Sequence, residues 1–377
     1  MTLVLSNCAV VTMDADRREY ASGHIVVDGN RVVAAGAGSP PAIPDATVVD
    51  GTGCVATPGL VNTHHHLYQW LTRGIAADAT LFEWLTTLYP VWAHIDAELV
   101  NLAATAALAR LARSGCSTTA DHHYIFPADG GDVFAAEIVA AREVGLRFSP
   151  CRGSMDLGRS AGGLPPDHVV EDRDAILGAT EDAIDTWHDP SFDSMLRVGV
   201  APCSPFSVTG ELMREAAELA RRKGVRLHTH LAETVDEDGY CRERFGCAPL
   251  DYVESLGWGG PDVWYAHGIH LDDDAVTRLG ASRAGIAHCP TSNARLGAGI
   301  ARTADLRAAG APVGLGVDGA ASNEASSVLE EARNALLFAR ARGGPSAMTV
   351  REALELATVG GATVLGRGDE IGSVEPG

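Results

Sequence analysis

Over the first 55 residues, apolar positions come in short runs separated by polar breaks. Leu3-Val4-Leu5, Ala9-Val10-Val11, His24-Ile25-Val26-Val27, Arg31-Val32-Val33 and Thr47-Val48-Val49 predict strands, with a hairpin turn at Asp28-Gly29-Asn30 and a loop at Pro40-Pro41. From Val55 onward the rhythm changes to strand, loop, helix. Strands are predicted at Val55–Val61, Ser117–Asp121, Arg147–Arg152, Leu196–Ala201, Val225–Leu231, Val263–His267, Gly285–Cys289 and Pro312–Asp318. Between them, helical periodicity covers Glu98–Arg113, Val133–Val144, Ala175–Trp187, Glu211–Lys223 and Ser327–Arg340. Gly115, Gly145 and Gly224 stand just past helix ends, where a left-handed residue closes the last turn.

Eight strands alternating with helices predict an α/β fold, a (β/α)8 TIM-like barrel over residues 56–368. Residues 1–55 form a small β-sandwich appendage, which 369–377 begin to rejoin before the chain stops. The C-terminus is therefore expected to be incomplete.

Composition adds bounds. The chain has 377 residues, 46% of them hydrophobic and 21% charged, with 42 glycines, which describes a globular protein rich in tight turns. No apolar run reaches membrane-spanning length, and no Lys or Arg precedes Arg17, so the charged start of a signal peptide is missing. Eight scattered cysteines lack the density of a disulfide framework, and a cytoplasmic location is expected. A net charge of −20 speaks against a nucleic-acid backbone as partner but leaves a free base or nucleoside open.

The chemistry-bearing residues fall at strand ends. Strand one runs into His64-His65-His66, and on a strand residues i and i+2 share a face. His64 and His66 can thus reach one metal ion together, while His65 points away. Strand five reads Leu227-His228-Thr229-His230-Leu231-Ala232-Glu233, strand six ends at His267 and strand eight at Asp318. Three histidines and a carboxylate suit Zn²⁺ or Fe²⁺ with a position left for water. His65 and His228 are expected to pack in the outer layer, and His24, His94, His168, His188, His270 and His288 receive no role. Gly314-Leu315-Gly316-Val317-Asp318-Gly319 matches a dinucleotide-binding spacing, but it falls on the last barrel strand instead of opening a helix after an early one. Pro202-Cys203-Ser204-Pro205-Phe206 lacks the second cysteine of the zinc nucleobase deaminase signature.

Pro58-Gly59-Leu60-Val61-Asn62-Thr63-His64-His65-His66, His230-Leu231-Ala232-Glu233, Ala266-His267 and Gly316-Val317-Asp318-Gly319, in this order, resemble the amidohydrolase superfamily. The likeness is to its branch of aminohydrolases acting on purine-like and triazine rings. It implies one divalent metal held by His64, His66, His230 and Asp318, since no lysine ends strand four where a two-metal relative places its bridging group. On that reading Glu233 takes a proton from the activated water and passes it to a ring nitrogen. His267 polarises the exocyclic group or orients the water, and Asp318 delivers the second proton to departing ammonia.

Candidate substrate contacts are Gln69, Trp92, Tyr124 and Cys203, together with one of the two histidines in Asp121-His122-His123-Tyr124. The segments Asn62–Gln69, Trp92–His94 and Ala201–Ser207 are most similar to 8-oxoguanine deaminases. Guanine deaminases carry an arginine in a Pro-Arg-Phe segment where this chain has Pro205 before Phe206. The resemblance therefore implies deamination of 8-oxoguanine to urate and ammonia by a homo-oligomeric enzyme. Alternatives are deamination or dehalogenation of another ring (guanine, a pterin, a triazine) and a non-catalytic scaffold. A scaffold would be free to lose His66, Glu233 or Asp318, and all three are present.

Overall fold

The computed structural model describes residues 1–377. The N-terminal sheet contains β1 (Thr2–Val11), β2 (Glu19–Asp28), β3 (Arg31–Ala37), β4 (Thr47–Asp50) and β5 (Val55–Ala56). β1 lies antiparallel to β2 and β2 to β3, the latter hairpin closing at Asp28↔Arg31 through Gly29 at φ 59°. β4 and β5 both add parallel to β1. Cys8, Val10 and Ile25 pack with Val374, whose N–H donates to the Thr12 carbonyl at 2.7 Å, so the last residues do return to this sheet.

The single strand expected at Val55–Val61 is two. Val55–Ala56 pairs with Ala9 and Val10, and the barrel begins only at β6 (Leu60–Asn62). Pro58 has no N–H to give a ladder, which breaks the strand. Gly59 follows because a Cβ there would lie 2.1 Å from Ser117 Oγ.

β6 is followed by β7 (Cys116–His123), β8 (Arg147–Ser154), β9 (Gly199–Pro202), β10 (Arg226–Leu231), β11 (Val263–His267), β12 (Gly285–His288) and β13 (Val313–Leu315). Each pairs in parallel with the next, and β13 returns to β6, so the barrel is closed. The closing contact is a single register pair, Leu315↔Asn62. The Asn62 side chain reinforces it, accepting from Val317 N–H at 2.8 Å and donating to Thr119 Oγ1 at 2.9 Å. One buried amide thus ties the first, second and eighth strands at the rim where His64 emerges.

The expected helices are present at Ala97–Arg113, Val133–Val144, Arg173–Trp187, Gly210–Lys223 and Val328–Gly343. Asp96 and Thr209 cap two of them by accepting from Leu99 and Leu212 N–H, and Gly145 and Gly224 close two in left-handed geometry. A helical turn at Leu67–Thr72 and a helix at Leu81–Trp92 were not expected. They border the C-terminal end of the barrel and supply one wall of its cavity. No helix is long and apolar enough to cross a membrane.

Candidate active site

The site is built at the C-terminal ends of the strands, where a barrel leaves backbone free to present side chains. His66 Nε2 lies 3.1 Å from His230 Nε2 and 3.4 Å from Asp318 Oδ1, and His64 Nε2 lies 3.5 Å from the same oxygen. Each ring is turned inward by a contact on its other nitrogen. His66 Nδ1 meets the His122 carbonyl at 2.7 Å, His230 Nδ1 the Cys203 carbonyl at 2.7 Å, and His64 Nδ1 the His228 ring at 2.8 Å. Fixing Nδ1 in this way aims the Nε2 lone pair at a common centre. His64 Nε2 is buried and has no hydrogen-bond partner. Ligands held at about 2.1 Å around a tetrahedral ion stand roughly 3.4 Å apart, so these separations fit one divalent cation. Burial holds all three imidazoles below their ordinary pKa, His66 and His230 well below, which leaves them neutral and able to ligate. Burial works against the Asp318 carboxylate, yet His64 and its neighbours hold its pKa well below the usual range.

Glu233 stands beside this centre, its Oε2 3.6 Å from His267 Nε2. Burial pushes its carboxyl up to about 7. Burial alone would lower the His267 pKa, but the carboxylates of Glu233 and Asp318 outweigh it and hold the imidazole above its ordinary value. His267 Nδ1 is fixed on Asn293 Oδ1 at 2.9 Å, and Asp318 Oδ2 accepts from Ser292 Oγ at 2.6 Å. Ala232 (φ 53°), His267 (φ 73°) and Asp318 (φ 61°) all adopt left-handed backbone, which costs of order 1–3 kcal/mol each and persists only where surroundings impose it. At the first, Glu237 imposes it by accepting from both Ala232 and Glu233 N–H at 2.9 Å.

The cavity over these groups holds about 380 Å³ of space, its mouth included. Gln69, Tyr124 and Cys203 line it, and neither atom of the Gln69 amide has a partner. The amide fits only because position 319 is glycine: a Cβ there would lie 1.7 Å from Gln69 Oε1. No arginine or lysine is among the lining residues.

Trp92 is a correction. It lies outside the cavity, packed against Tyr68, Trp84 and Tyr89, with its indole N–H on Thr72 Oγ1 at 3.1 Å. Trp84 and Tyr89, from the same helix, take the lining positions. His228 is a second correction. It is two residues from His230 and so shares its inward face, stacking on Trp264 with ring centroids 4.3 Å apart. His65 accepts from His66 N–H at Nδ1 and stays buried. On β7 it is His122 that faces inward, stacked on His230, while His123 turns outward toward Glu137. Sequence reasoning also missed Glu237, Asn293, Ser292, Trp84 and Tyr89. Only Glu237 carried a signal, as the fourth member of Thr234-x-x-Glu, a helix-start pattern.

Residues 55–377 match the family model described as the amidohydrolase family. The chain belongs to the amidohydrolase family. An 8-oxoguanine deaminase from Pseudomonas aeruginosa is 49% identical over 365 residues, covering 96% of this chain and 81% of that one. An isoxanthopterin deaminase from an unknown prokaryotic organism is 40% identical over 100% of this chain and 83% of its own length. Among solved structures, an atrazine chlorohydrolase from Arthrobacter aurescens TC1 complexed with zinc superposes with a TM-score of 0.94 at 32% identity, covering 100% of this chain and 85% of that one. This amidohydrolase is a metal-dependent hydrolytic enzyme whose centre takes a divalent cation.

Proposed function

We propose that this amidohydrolase hydrolytically deaminates an aminated purine-like heterocycle, and that the ring is 8-oxoguanine, giving urate and ammonia. The observation that carries the proposal is the placement of Glu233, His267 and Asp318 beside three neutral, converging imidazoles. The cavity wall above them offers a free amide and no cation. The resemblance to the Pseudomonas aeruginosa 8-oxoguanine deaminase supports the same ring.

In this proposal His64, His66, His230 and Asp318 hold the metal. A divalent cation bound there lowers the pKa of water so that a nucleophile is available near neutral pH. Glu233, with a pKa raised into the neutral range, takes the proton released as water attacks the amino-bearing carbon and gives it to the adjacent ring nitrogen. His267, anchored by Asn293, donates from Nε2 toward the charge that develops on the attacking oxygen. Asp318, its second oxygen tied to Ser292, moves a proton to the departing amine. Gln69 reads the ring edge, since a primary amide both donates and accepts, and the neutral thiol of Cys203, raised by burial to about 12, borders it.

Against guanine, an 8-oxopurine presents one more N–H donor. A wall of neutral acceptors reads such a donor, whereas an arginine clamp would repel it. Incubation with 8-oxoguanine in ¹⁸O-water tests the reaction: urate with one ¹⁸O and one equivalent of ammonia is expected, and unchanged 8-oxoguanine contradicts it. A triazine or pterin is the second reading, favoured by the atrazine chlorohydrolase and isoxanthopterin deaminase likenesses. The compartment we propose is the cytoplasm, supported by eight free cysteines. The assembly we propose is a homo-oligomer, supported by exposed Leu99, Leu102, Leu329 and Leu337 on the outer helices. The acidic surface makes nucleic acid an unsuitable partner.

A further inference from the structure

We infer that Asp121, His123 and Glu137 hold a second, structural divalent cation between β7 and the helix Val133–Val144, on the far side of β7 from the catalytic rim. All three side chains are fully buried, and their ligating atoms lie within 4.8 Å of one another. The hydrogen-bond accounting is what marks the place. His123 Nε2 lies 2.8 Å from the Ile125 carbonyl, which can only accept, so the ring proton sits on Nε2 and Nδ1 presents a lone pair. Asp121 spends Oδ1 on Leu67 N–H at 2.7 Å and has Oδ2 free. Both oxygens of Glu137 lack partners. Asp121 Oδ2, His123 Nδ1 and the two Glu137 oxygens thus face one another with no donor from any other residue, a carboxyl proton shared between Asp121 and Glu137 being what a cation would displace.

Burial raises both carboxyls above the usual carboxylate range, Glu137 up to about 8 and Asp121 well above, so without a cation the pair holds protons, and a bound divalent ion would take their place. The neighbouring cation, Arg152, is committed to Glu171 through bonds of 3.0 and 2.7 Å. A single divalent ion in place of those protons gives all four atoms a partner. The distance agrees: His123 Nδ1 and Glu137 Oε2 stand 3.5 Å apart, long for a hydrogen bond and close to the roughly 3.4 Å between two ligands of one tetrahedral ion. A ring held by a backbone carbonyl on its other nitrogen is also how metal-bound histidines are oriented. One nitrogen and two carboxylates are a donor set that Zn²⁺ accepts. Such an ion would clamp β7 and the Val133–Val144 helix to the turn at Leu67, two residues before Gln69. It would therefore stiffen the cavity wall without touching substrate.

The test is the metal content and anomalous scattering of the full chain, purified and crystallised with Zn²⁺ as the probe. Two zinc equivalents per chain are expected, with one anomalous peak among His64, His66, His230 and Asp318 and another among Asp121, His123 and Glu137. In Glu137→Gln the second peak and one equivalent disappear while the first peak remains. Should that variant not fold, Asp121→Asn, which keeps the acceptor for Leu67, serves instead, and the wild-type crystal decides on its own. A wild-type crystal with excess zinc that shows only the catalytic peak, and a short carboxyl–carboxylate contact between Asp121 and Glu137, overturns the inference in favour of shared protons.

Discussion

His228 Nε2 lies 2.8 Å from His64 Nδ1, and His228 Nδ1 lies 2.9 Å from the Trp264 carbonyl. The carbonyl can only accept, so His228 carries its proton on Nδ1 and accepts at Nε2. His64 must then donate from Nδ1, which leaves its Nε2 lone pair free toward Asp318. Two buried imidazoles in series therefore set the tautomer of a candidate ligand from a backbone carbonyl on the third strand from it around the barrel. Trp264, stacked flat on His228, keeps the ring in place.

Replacement of His228 by alanine removes that chain and leaves His64 free to rotate. Metal affinity is expected to fall about 10–100-fold, the usual effect of losing a residue that orients a ligand. Competition against a chelator of known affinity measures it, and circular dichroism checks that the fold persists. An unchanged affinity would show that His64 needs no such partner.

Glu233→Gln keeps the shape of the side chain and removes the base. Turnover is expected to drop by about 10²–10⁴-fold with metal content unchanged. Loss of both together would instead make Glu233 part of the metal's own support.

The raised Glu233 pKa gives the pH profile a direction. Only the ionised form can accept a proton, so kcat/KM falls as pH drops through that pKa, about 7 in the absence of a cation. A bound divalent ion stabilises the carboxylate, so the acid limb is expected at or below pH 7, with activity declining about tenfold per unit beneath it. The limb disappears from the residual rate of Glu233→Gln if the assignment is right and persists if another group controls it.

Gln69 and Trp92 separate specificity from packing. Gln69→Leu leaves the fold intact and removes the free amide from the wall, and a loss of about 1–3 kcal/mol in kcat/KM is expected. Trp92→Phe loses the bond to Thr72 and part of an aromatic cluster, so it is expected to cost about 1 kcal/mol or more of stability with KM little changed. Thermal denaturation alongside kinetics distinguishes them, and the reverse pattern would return Trp92 to the substrate.

Much of this was legible in the sequence because strand geometry is strict. His64, His66, His230, His267 and Asp318 stand at strand ends, and the barrel delivers strand ends to one rim. The same rule applied to His228 would have placed it beside His230, since both are separated by two residues. Trp92 was misplaced because Pro90 disguised the helix Leu81–Trp92, within which Trp84 and Tyr89 turn toward the cavity instead. Asn293 and Ser292 come from a short helix after β12 and meet His267 and Asp318 across a distance that no local pattern encodes. Long-range polar partners of this kind are set by tertiary packing, which periodicity does not report.

The central claim is tested most directly by kcat/KM for ammonia release from 8-oxoguanine, guanine, isoxanthopterin and an aminotriazine, measured on the zinc-loaded protein. The account predicts turnover dominated by 8-oxoguanine, with urate as product. Preference for one of the other rings contradicts the reading of the neutral cavity wall, and the absence of ammonia from all four contradicts the deaminase itself.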